Sequence, residues 1–267
     1  MQTPGIDVSH WEGSINWALV KPQISFAILK CTEGTTYKDS RYRENKTGCV
    51  NNGIPHGVYH FFRSNIDGAA QAQYFYDFAA DRDLKVWAVD VEANNGGDIR
   101  GNLKSMLDRL EQLTGVIPFI YTAKYFWNYN IGAQPWASRC QLWVANYEVS
   151  TPALPAGWTS WVFWQYSEKG NVNGIIGWCD MDKFDGTQDE LNVLFGNGTV
   201  PALPQNEIMP QGYRVVTADW LNIRSLPSVS SNDIGTLQRN DDIAFTDEKD
   251  GWLKIEGWIN KAYTRPK

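Results

Sequence analysis

The chain has 267 residues, of which 43% are hydrophobic and 20% are charged, and its formal net charge is -6 at pH 7. These proportions are typical of a folded globular protein and exclude a disordered or fibrous chain, while the acidic balance argues against a nucleic-acid partner. No stretch approaches the roughly 18 consecutive apolar residues that span a bilayer, so we expect no membrane-spanning segment.

Residues 5 to about 195 alternate short apolar runs with amphipathic stretches, which is the pattern of a βα protein. Helical spacing of apolar residues is clearest in the segments 67–80 and 98–114. The repeated alternation favours a barrel of parallel strands with helices outside it. Strands are predicted at 5–8, 26–30, 57–61, 86–92, 118–121, 141–145 and 162–166.

Two carboxylates stand at the end of the fourth predicted strand. Strict alternation in 86–92 places Asp90 and Glu92 on one face of that strand. Barrel enzymes carry their catalytic groups at the carboxyl ends of strands, and repulsion between two such charges raises the pKa of one, which can then serve as a general acid. Taken alone the D-x-E motif is weak, because a solvated strand end carries the same residues.

Further acids follow other predicted strands. Asp7 ends the first and Glu33 follows the second, while Asp180 and Asp182 follow the apolar run 174–179. If parallel strands close into a barrel, these acids meet at one mouth and suit the oxocarbenium-like transition state of glycoside hydrolysis. A site for Mg²⁺ or Ca²⁺ is the alternative use of such a cluster. Aromatic residues predicted at the same mouth are Tyr59, Tyr121, Trp143 and Tyr166.

Short motifs are spread in order over residues 5 to 186. They read D-V-S-H-W-E-G at 7–13, K-C-T-E-G at 30–34, G-V-Y-H-F at 57–61, D-V-E at 90–92, P-F-I-Y at 118–121, L-W-V-A-N-Y at 142–147, W-Q-Y-S at 164–167 and D-M-D-K-F at 180–184. Together they resemble glycoside hydrolase family 25, the muramidases. Ordered matches over such a length are far more specific than any single motif.

The resemblance implies an α/β fold, a TIM-like (β/α) barrel of about eight strands with fewer helices than a full eightfold barrel. It implies hydrolysis of the β-1,4 bond from N-acetylmuramic acid to N-acetylglucosamine, with retention assisted by the substrate's acetamide. Glu92 would be the general acid and then base, and Asp90 would steer the N-acetyl group or stabilise the intermediate. Asp7 and Asp180 would complete the catalytic acids. Predicted substrate contacts are Glu33, Tyr59, Tyr121, Trp143, Tyr166 and Asp182, and no metal or cofactor is expected.

Other hydrolase chemistries find less support in the sequence. A zinc amidase needs spaced histidine ligands, and no H-E-x-x-H motif occurs. A cysteine peptidase needs a low-pKa thiol beside a histidine, for which only Cys31 near His60 comes into question. The four cysteines are widely spaced without a C-x-x-C pair, so we expect free buried thiols, with one disulfide left as an alternative.

The C-terminal part has a different composition. Residues 197–211 are rich in Gly, Pro and Asn and are predicted to link a catalytic domain, 1–196, to a second domain, 212–267. The motifs L-N-I-R-S-L-P at 221–227 and G-W-L-K-I at 251–255 resemble a bacterial SH3-like domain, a small all-β barrel, with Asp250-Gly251 as a hairpin turn. The resemblance implies binding to the bacterial cell wall, and a purely stabilising role is the alternative.

The leading hypothesis is a two-domain, monomeric enzyme that cleaves bacterial peptidoglycan and resembles a phage endolysin. The sequence after Met1 carries no secretion signal, so we expect synthesis in the host cytoplasm and release to the wall on lysis. Nucleic acid and membranes are not expected as partners. Two alternatives stay open at this point, a chitinase-type glycan hydrolase and a non-catalytic wall-binding protein.

Overall fold

The computed structural model describes residues 2–196, 212–245, 247–255, 258–260 and 264–266. The chain divides into two compact units, Met1–Val200 and Pro201–Lys267. The predicted linker, 197–211, lies outside the described residues, so its bounds stay a prediction. Across the described ranges, no helix is both long and apolar enough to cross a membrane.

Eight strands of the first unit close into a barrel, which confirms the predicted architecture. Around the barrel their order is β1-β9-β8-β7-β6-β5-β4-β2, and pairing of β1 with β2 closes it, while β3 extends the edge of β2. The strands are β1 (Thr3–Val8), β2 (Phe26–Glu33), β3 (Tyr37–Lys38), β4 (His56–Phe61), β5 (Trp87–Asp90), β6 (Phe119–Ala123), β7 (Gln141–Ala145), β8 (Phe163–Gly170) and β9 (Cys179–Phe184).

Strand β9 makes the barrel mixed rather than wholly parallel. It runs antiparallel to both neighbours, with Asp180 opposite Asp7 and Asp182 opposite Gln165. The connection 171–178 is too short for the crossover of a dozen or more residues that a parallel pair requires, so the chain turns back on itself. The amino end of β9 therefore reaches the mouth where the parallel strands present their carboxyl ends.

Helices cover the outside of this barrel. The two longest begin at aspartates whose side chains cap them: Asp67 accepts from the backbone N–H of Ala70, and Asp98 accepts from that of Gly101. One face of the longest helix is buried, as its spacing predicts. The helices are α1 (Trp17–Val20), α2 (Tyr42–Asn51), α3 (Gly68–Ala79), α4 (Ile99–Thr114), α5 (Lys124–Asn130), α6 (Pro135–Ser138) and α7 (Gln188–Leu194).

The period of two along each strand separates two cores. On β5, Trp87 and Val89 face outward and pack in the core beneath the helices, while Ala88 faces the barrel interior. The interior is filled largely by aromatic rings, among them Phe26, Phe163 and Trp143. This packing closes the middle of the barrel and leaves space for a site only at its ends.

The four cysteines are free and buried in this first unit. Burial raises the pKa of each thiol, to about 12 at Cys140 and further at Cys31, Cys49 and Cys179. His60 contacts the Thr32 hydroxyl at 2.7 Å and the Gln71 side-chain oxygen at 3.2 Å, and its imidazole is buried. A thiolate nucleophile activated by this histidine is therefore not supported.

The second unit is all-β in its described residues, as predicted. Its sheets have the orders β13-β10-β17 and β12-β11-β16-β15-β14. Asp250 and Gly251 join β14 to β15 with φ angles of 52° and 80°, the positive values of a tight hairpin turn. The strands are β10 (Gly212–Val216), β11 (Trp220–Arg224), β12 (Asp233–Gln238), β13 (Asp242–Phe245), β14 (Asp247–Lys249), β15 (Trp252–Lys254), β16 (Trp258–Asn260) and β17 (Thr264–Pro266).

Candidate active site

Two adjoining cavities, of about 230 and 80 Å³, open at the mouth of the barrel. Five residues line both: Asp7, Tyr59, Asp90, Glu92 and Asp180. The larger is also lined by Val8, Ser9, Trp11, Glu12, Lys30 and Phe61, and the smaller by Tyr121, Trp143 and Gln165. The mouth thus gathers most of the residues that the sequence nominated.

Asp90 and Glu92 project into the same cavities, as their shared face predicts. Asp90 is the last residue of β5 and is buried, whereas Glu92 lies two residues further on and is exposed. Backbone bonds hold this end of the chain: Phe62 N–H donates to the carbonyl of Asp90, and Val91 N–H donates to that of Tyr121, each at 2.9 Å. The two carboxyls therefore sit on a fixed support at the cavity wall.

Their environment favours protonation. Burial, and then the charge of Glu92, raise the pKa of Asp90 well above its ordinary value, and enclosure by the cavity wall raises the pKa of Glu92. The ammonium of Lys30 acts on both in the opposite direction. Asp90 Oδ1 is buried without a hydrogen-bond partner among the described residues. Two carboxyls so placed lose their protons in two coupled steps, so the pair retains a proton to a higher pH than either carboxyl would alone.

Glu33 is not brought into either cavity, contrary to its predicted contact with substrate. Its carboxylate accepts from Arg63 Nε at 3.0 Å and lies 3.4 Å from Lys30 Nζ. Burial opposes ionisation, but the hydrogen bond from Arg63 and the charges of Lys30 and Arg63 outweigh it and lower the pKa of Glu33. Glu33 therefore lies beside the cavities, paired with Arg63 and near Lys30.

Strands β1 and β9 contribute a second group of acids. Asp7 and Asp182 are buried and Asp180 is half-buried. Gln165 Nε2 donates to Asp7 Oδ2 at 2.6 Å and lies 3.3 Å from Asp180 Oδ2, while Trp143 Nε1 donates to Asp182 Oδ1 at 2.8 Å. Asp182 thus lies beneath the cavities, bonded to their floor instead of lining them.

These acids repel one another. Burial, and then the charges of Asp182 and Asp180, raise the pKa of Asp7, and burial is the main reason that the pKa values of Asp180 and Asp182 rise to about 7. Burial of like charges so close together favours the protonated form of each carboxyl, so these acids lose their protons in coupled steps.

Three of the four nominated aromatic residues line the cavities. The rings of Tyr121 and Trp143 meet edge to face with centroids 4.7 Å apart, and Tyr59 packs against Trp143 at 6.0 Å. Tyr166 is not among them. It packs on the outer face of the barrel against Trp164, with Lys183 Nζ 4.6 Å from its ring centroid.

Gln165 belongs to the site although the sequence analysis did not nominate it. Its Oε1 accepts from the hydroxyls of Tyr121 at 2.8 Å and Tyr147 at 2.5 Å, while its Nε2 donates to Asp7. These partners fix the amide's orientation and join β6, β8 and β1 across the floor of the mouth. Alternation along 162–166 was the available signal, because it puts Gln165 on the same face as the buried Phe163.

A larger cavity of about 560 Å³ lies at the other end of the barrel. It is lined by Ser25 and Pro55, which immediately precede β2 and β4, and by Leu84, which lies shortly before β5. Asp81, which also lines it, pairs with Lys46 at 2.8 Å. Since barrel enzymes act at the carboxyl ends of their strands, the acidic mouth is the stronger candidate. Within the described ranges, no group of three or more His, Cys, Asp or Glu side chains is arranged to hold a metal ion.

Comparisons with known proteins agree with this choice. The model of "Glycosyl hydrolases family 25" matches residues 6–175, and that of "Bacterial SH3 domain" matches residues 219–265. Lysozyme M1 of Streptomyces globisporus is 40% identical over 72% of this chain and 71% of its own. The N,O-diacetylmuramidase of Arthroderma benhamiae is 27% identical over 70% of this chain and 84% of its own. The crystal structure of a lysozyme from Streptomyces coelicolor matches with a TM-score of 0.69 and 39% identity, covering 74% of this chain and 98% of that one.

Proposed function

The chain belongs to glycosyl hydrolase family 25, and on that basis we propose how its residues carry out the reaction. It is a lysozyme-type peptidoglycan hydrolase that cleaves the β-1,4 bond between N-acetylmuramic acid and N-acetylglucosamine. The observation that carries the assignment of roles is the placement of Asp90 and Glu92 in one acidic cavity at the barrel mouth.

Glu92 is the proposed general acid. Its exposed position lets it reach a bond that lies across the open mouth, and its raised pKa widens the pH range in which it carries a proton to donate. The proton passes to the glycosidic oxygen as the bond to the anomeric carbon breaks, and the N-acetylglucosamine end leaves with it. Glu92, now ionised, then accepts a proton from the water that completes hydrolysis.

Asp90 is proposed to act on the acetamido group of the muramic acid. Its buried Oδ1 has no partner among the described residues and is suited to accept the amide N–H of that group. This contact orients the acetamide oxygen toward the anomeric carbon, where it forms a bond as the glycosidic bond breaks. Water then opens the resulting cyclic intermediate, which gives the retained configuration.

The remaining acids are proposed to stabilise positive charge. Positive charge develops on the sugar ring in the transition state, and fixed negative groups around it lower the barrier. Asp7 and Asp180 line both cavities, and Gln165 fixes the carboxyl of Asp7. Asp182 accepts a hydrogen bond from Trp143 and so fixes this ring in the cavity floor, without contacting substrate itself.

Replacing Glu92 by Gln tests these roles. The variant keeps the shape of the side chain and removes its proton chemistry, so we expect roughly a thousand-fold loss of kcat with an unchanged fold. Release of soluble fragments from purified peptidoglycan gives the rate, and circular dichroism gives the control. Retained activity would show that another group is the acid.

The fragments released by the unaltered enzyme separate the alternatives. Mass spectrometry after borohydride reduction should find every new reducing end on muramic acid. New ends on N-acetylglucosamine would indicate a different glycan hydrolase, and no new ends would indicate a wall-binding protein without activity.

The second unit is proposed to bind the cell wall. Support comes from its match to bacterial SH3 domains over residues 219–265 and from its occurrence in the same chain as a wall-cleaving unit. A bound module raises the local concentration of the enzyme on an insoluble polymer without altering the active site.

The pairing of these two units also supports the role of a phage endolysin, released to the wall when the host lyses. Expression inside a bacterium should then leave cells intact until their inner membrane is permeabilised. Lysis without permeabilisation would contradict this proposal.

A further inference from the structure

Trp11 stands apart from the other tryptophans near the barrel mouth. It lines the larger cavity together with Asp90 and Glu92, yet 81% of its surface is exposed. Trp143, at the floor of the smaller cavity, is buried. A large apolar ring left in water beside a reaction centre is more informative than a buried one, because packing of the fold does not account for it.

The backbone that presents Trp11 is fixed. Trp11 is the middle residue of a one-turn 3-10 helix, His10–Glu12. The Ser9 hydroxyl accepts from the N–H of Trp11 at 3.1 Å, and the Glu12 carboxylate accepts from the N–H of Ser9 at 2.7 Å. This reciprocal cap holds the turn at the end of β1, so the exposed ring does not hang from a loose loop.

A chain of contacts supports the ring from one side. The rings of His10 and Trp11 lie with centroids 4.6 Å apart, at an angle of 36°. Asp39, whose carboxylate is buried, accepts from the backbone N–H of His10 at 3.0 Å and contacts its Nδ1 at 2.9 Å. The hydroxyl of Tyr37 lies 3.1 Å from the same nitrogen. The indole is therefore supported by an anchored imidazole while most of its surface stays in solvent.

The surroundings of Trp11 fit a sugar ring. Pyranose rings combine an apolar face of C–H groups, which stacks on an aromatic ring, with hydroxyls that donate hydrogen bonds. Glu12 and Asp180 line the same cavity and offer carboxylate acceptors. Trp178 is 67% exposed and lies two residues before Asp180. Because Asp180 pairs with Asp7, Trp178 lies on the same side of the mouth as Trp11.

We propose that Trp11 is a stacking platform for a sugar of the glycan strand that lies beyond the two rings joined by the scissile bond. This inference rests on the proposed function and adds a binding position to it. The platform engages long strands and not short ones, because only a strand that extends past the reacting pair reaches the rim. It makes the enzyme selective for polymer over fragments.

The test compares long and short substrates. Peptide-free glycan strands, prepared from peptidoglycan with an amidase, are the long substrate. The short substrate is the disaccharide of N-acetylmuramic acid β-1,4-linked to N-acetylglucosamine, which contains only the two reacting rings, and release of reducing ends gives kcat and KM for each. Trp11→Ala should raise KM for long strands about tenfold, leave kcat within about twofold and leave the disaccharide constants unchanged. Trp11→Phe should recover part of the loss. Tyr129→Ala is the control, since Tyr129 is 89% exposed and lines neither cavity.

Two outcomes overturn the platform. One is an unchanged KM for long strands in Trp11→Ala. The other is an equal loss on both substrates, which would place Trp11 within the reacting pair or in the stability of the fold.

A binding measurement separates this inference from the proposed function. In the Glu92→Gln background, titration with long strands followed by calorimetry should give a Kd that Trp11→Ala weakens about tenfold, without any turnover. If Trp11→Ala leaves this Kd unchanged, the stacking platform is refuted and the proposed function is not. If the unaltered enzyme releases no muramic acid ends, the proposed function fails whatever Trp11 does.

Discussion

Lys30 sets the charge balance of the cavity that holds Asp90 and Glu92. Its ammonium lowers the pKa of both carboxyls, and Glu33 in turn holds the ammonium. Arg63 keeps Glu33 ionised, so a single network of alternating charges ends at the catalytic pair. The other charged or titratable groups that line the cavities are Asp7, Glu12, Tyr59, Tyr121 and Asp180.

Removing this ammonium should move the pH profile of the enzyme. In Lys30→Gln the pKa values of Asp90 and Glu92 rise, so both limbs of the kcat/KM profile on soluble glycan should shift to higher pH by roughly half a unit to one unit. Lys30→Arg should keep the original profile.

Glu33→Gln provides a control of opposite sign. The charge of Glu33 raises the pKa of Asp90, so its removal should move the acidic limb to lower pH. Shifts of the same sign in Lys30→Gln and Glu33→Gln would mean that distortion of the site, and not charge, causes them.

At the residue scale, the sequence predicted the acids better than their neighbours. Alternation was enough to place Asp90 and Glu92 together, and the same rule places Gln165 inside the barrel and Tyr166 outside it. Glu33 was nominated for a different reason, its place after the second predicted strand. Its contacts with Arg63 at 3.0 Å and Lys30 at 3.4 Å, which hold it outside the lining of the cavities, cannot be read from the spacing of residues 26–33.

Helices α3 and α4 pack against each other through an unusually close approach at Gly68. A Cβ added there would lie 1.8 Å from the carbonyl oxygen of Asn102 and 2.7 Å from the backbone nitrogen of Met106. Backbone atoms on the opposing helix cannot rotate away as a side chain can. The spacing of these helices on the barrel therefore depends on a position without a side chain.

Gly68→Ala should lower the free energy of unfolding of the first unit by about 2 kcal/mol or more, because the helices must separate. Urea unfolding followed by tryptophan fluorescence measures the change. Helix propensity alone predicts the reverse, a small gain.

Ala70→Gly on the exposed side of the same helix is the matched control. It should cost roughly 1 kcal/mol through propensity alone. If Gly68→Ala is as stable as the unaltered protein, the close approach does not limit the packing of the two helices.

At the element scale, strands with apolar interiors were predicted well and β9 was not. The predicted strand 141–145 has the same bounds as β7. The predicted helical segments 67–80 and 98–114 each start at the aspartate that caps the observed helix, α3 or α4. In β9 the residues that face the mouth and the floor are Asp180 and Asp182. Acids at the inward-facing positions replace the apolar residues expected there. The apolar-polar alternation by which a strand is predicted is therefore missing from β9.

The two units differ in charge. Residues 212–267 carry eight Lys or Arg and eight Asp or Glu, so the net charge of -6 belongs to the residues before them. The acidic mouth accounts for part of that excess. A neutral stretch 212–267 joined to an acidic catalytic unit suits the proposed division of attachment from cleavage.

Truncation after Gly196 tests this division. The matched Streptomyces coelicolor lysozyme chain is covered almost completely by this part of the fold, which supports its folding without the second unit. We expect kcat on soluble glycan strands to stay within about twofold of the full chain. On intact walls at low enzyme concentration, activity should fall about tenfold, because the tether is lost. An equal loss on both substrates would show that the second unit serves the fold of the barrel.

The placement of the cysteines allows opening of the first unit to be measured in the whole molecule. All four thiols lie in the first unit, at Cys31, Cys49, Cys140 and Cys179, and all are free and buried. A thiol reagent can modify them only when the barrel opens, so the rate of labelling counts opening events. The second unit has no cysteine and therefore contributes no signal to such a measurement. Opening of the catalytic barrel can thus be followed in the intact chain, on the wall itself, without removing the second unit.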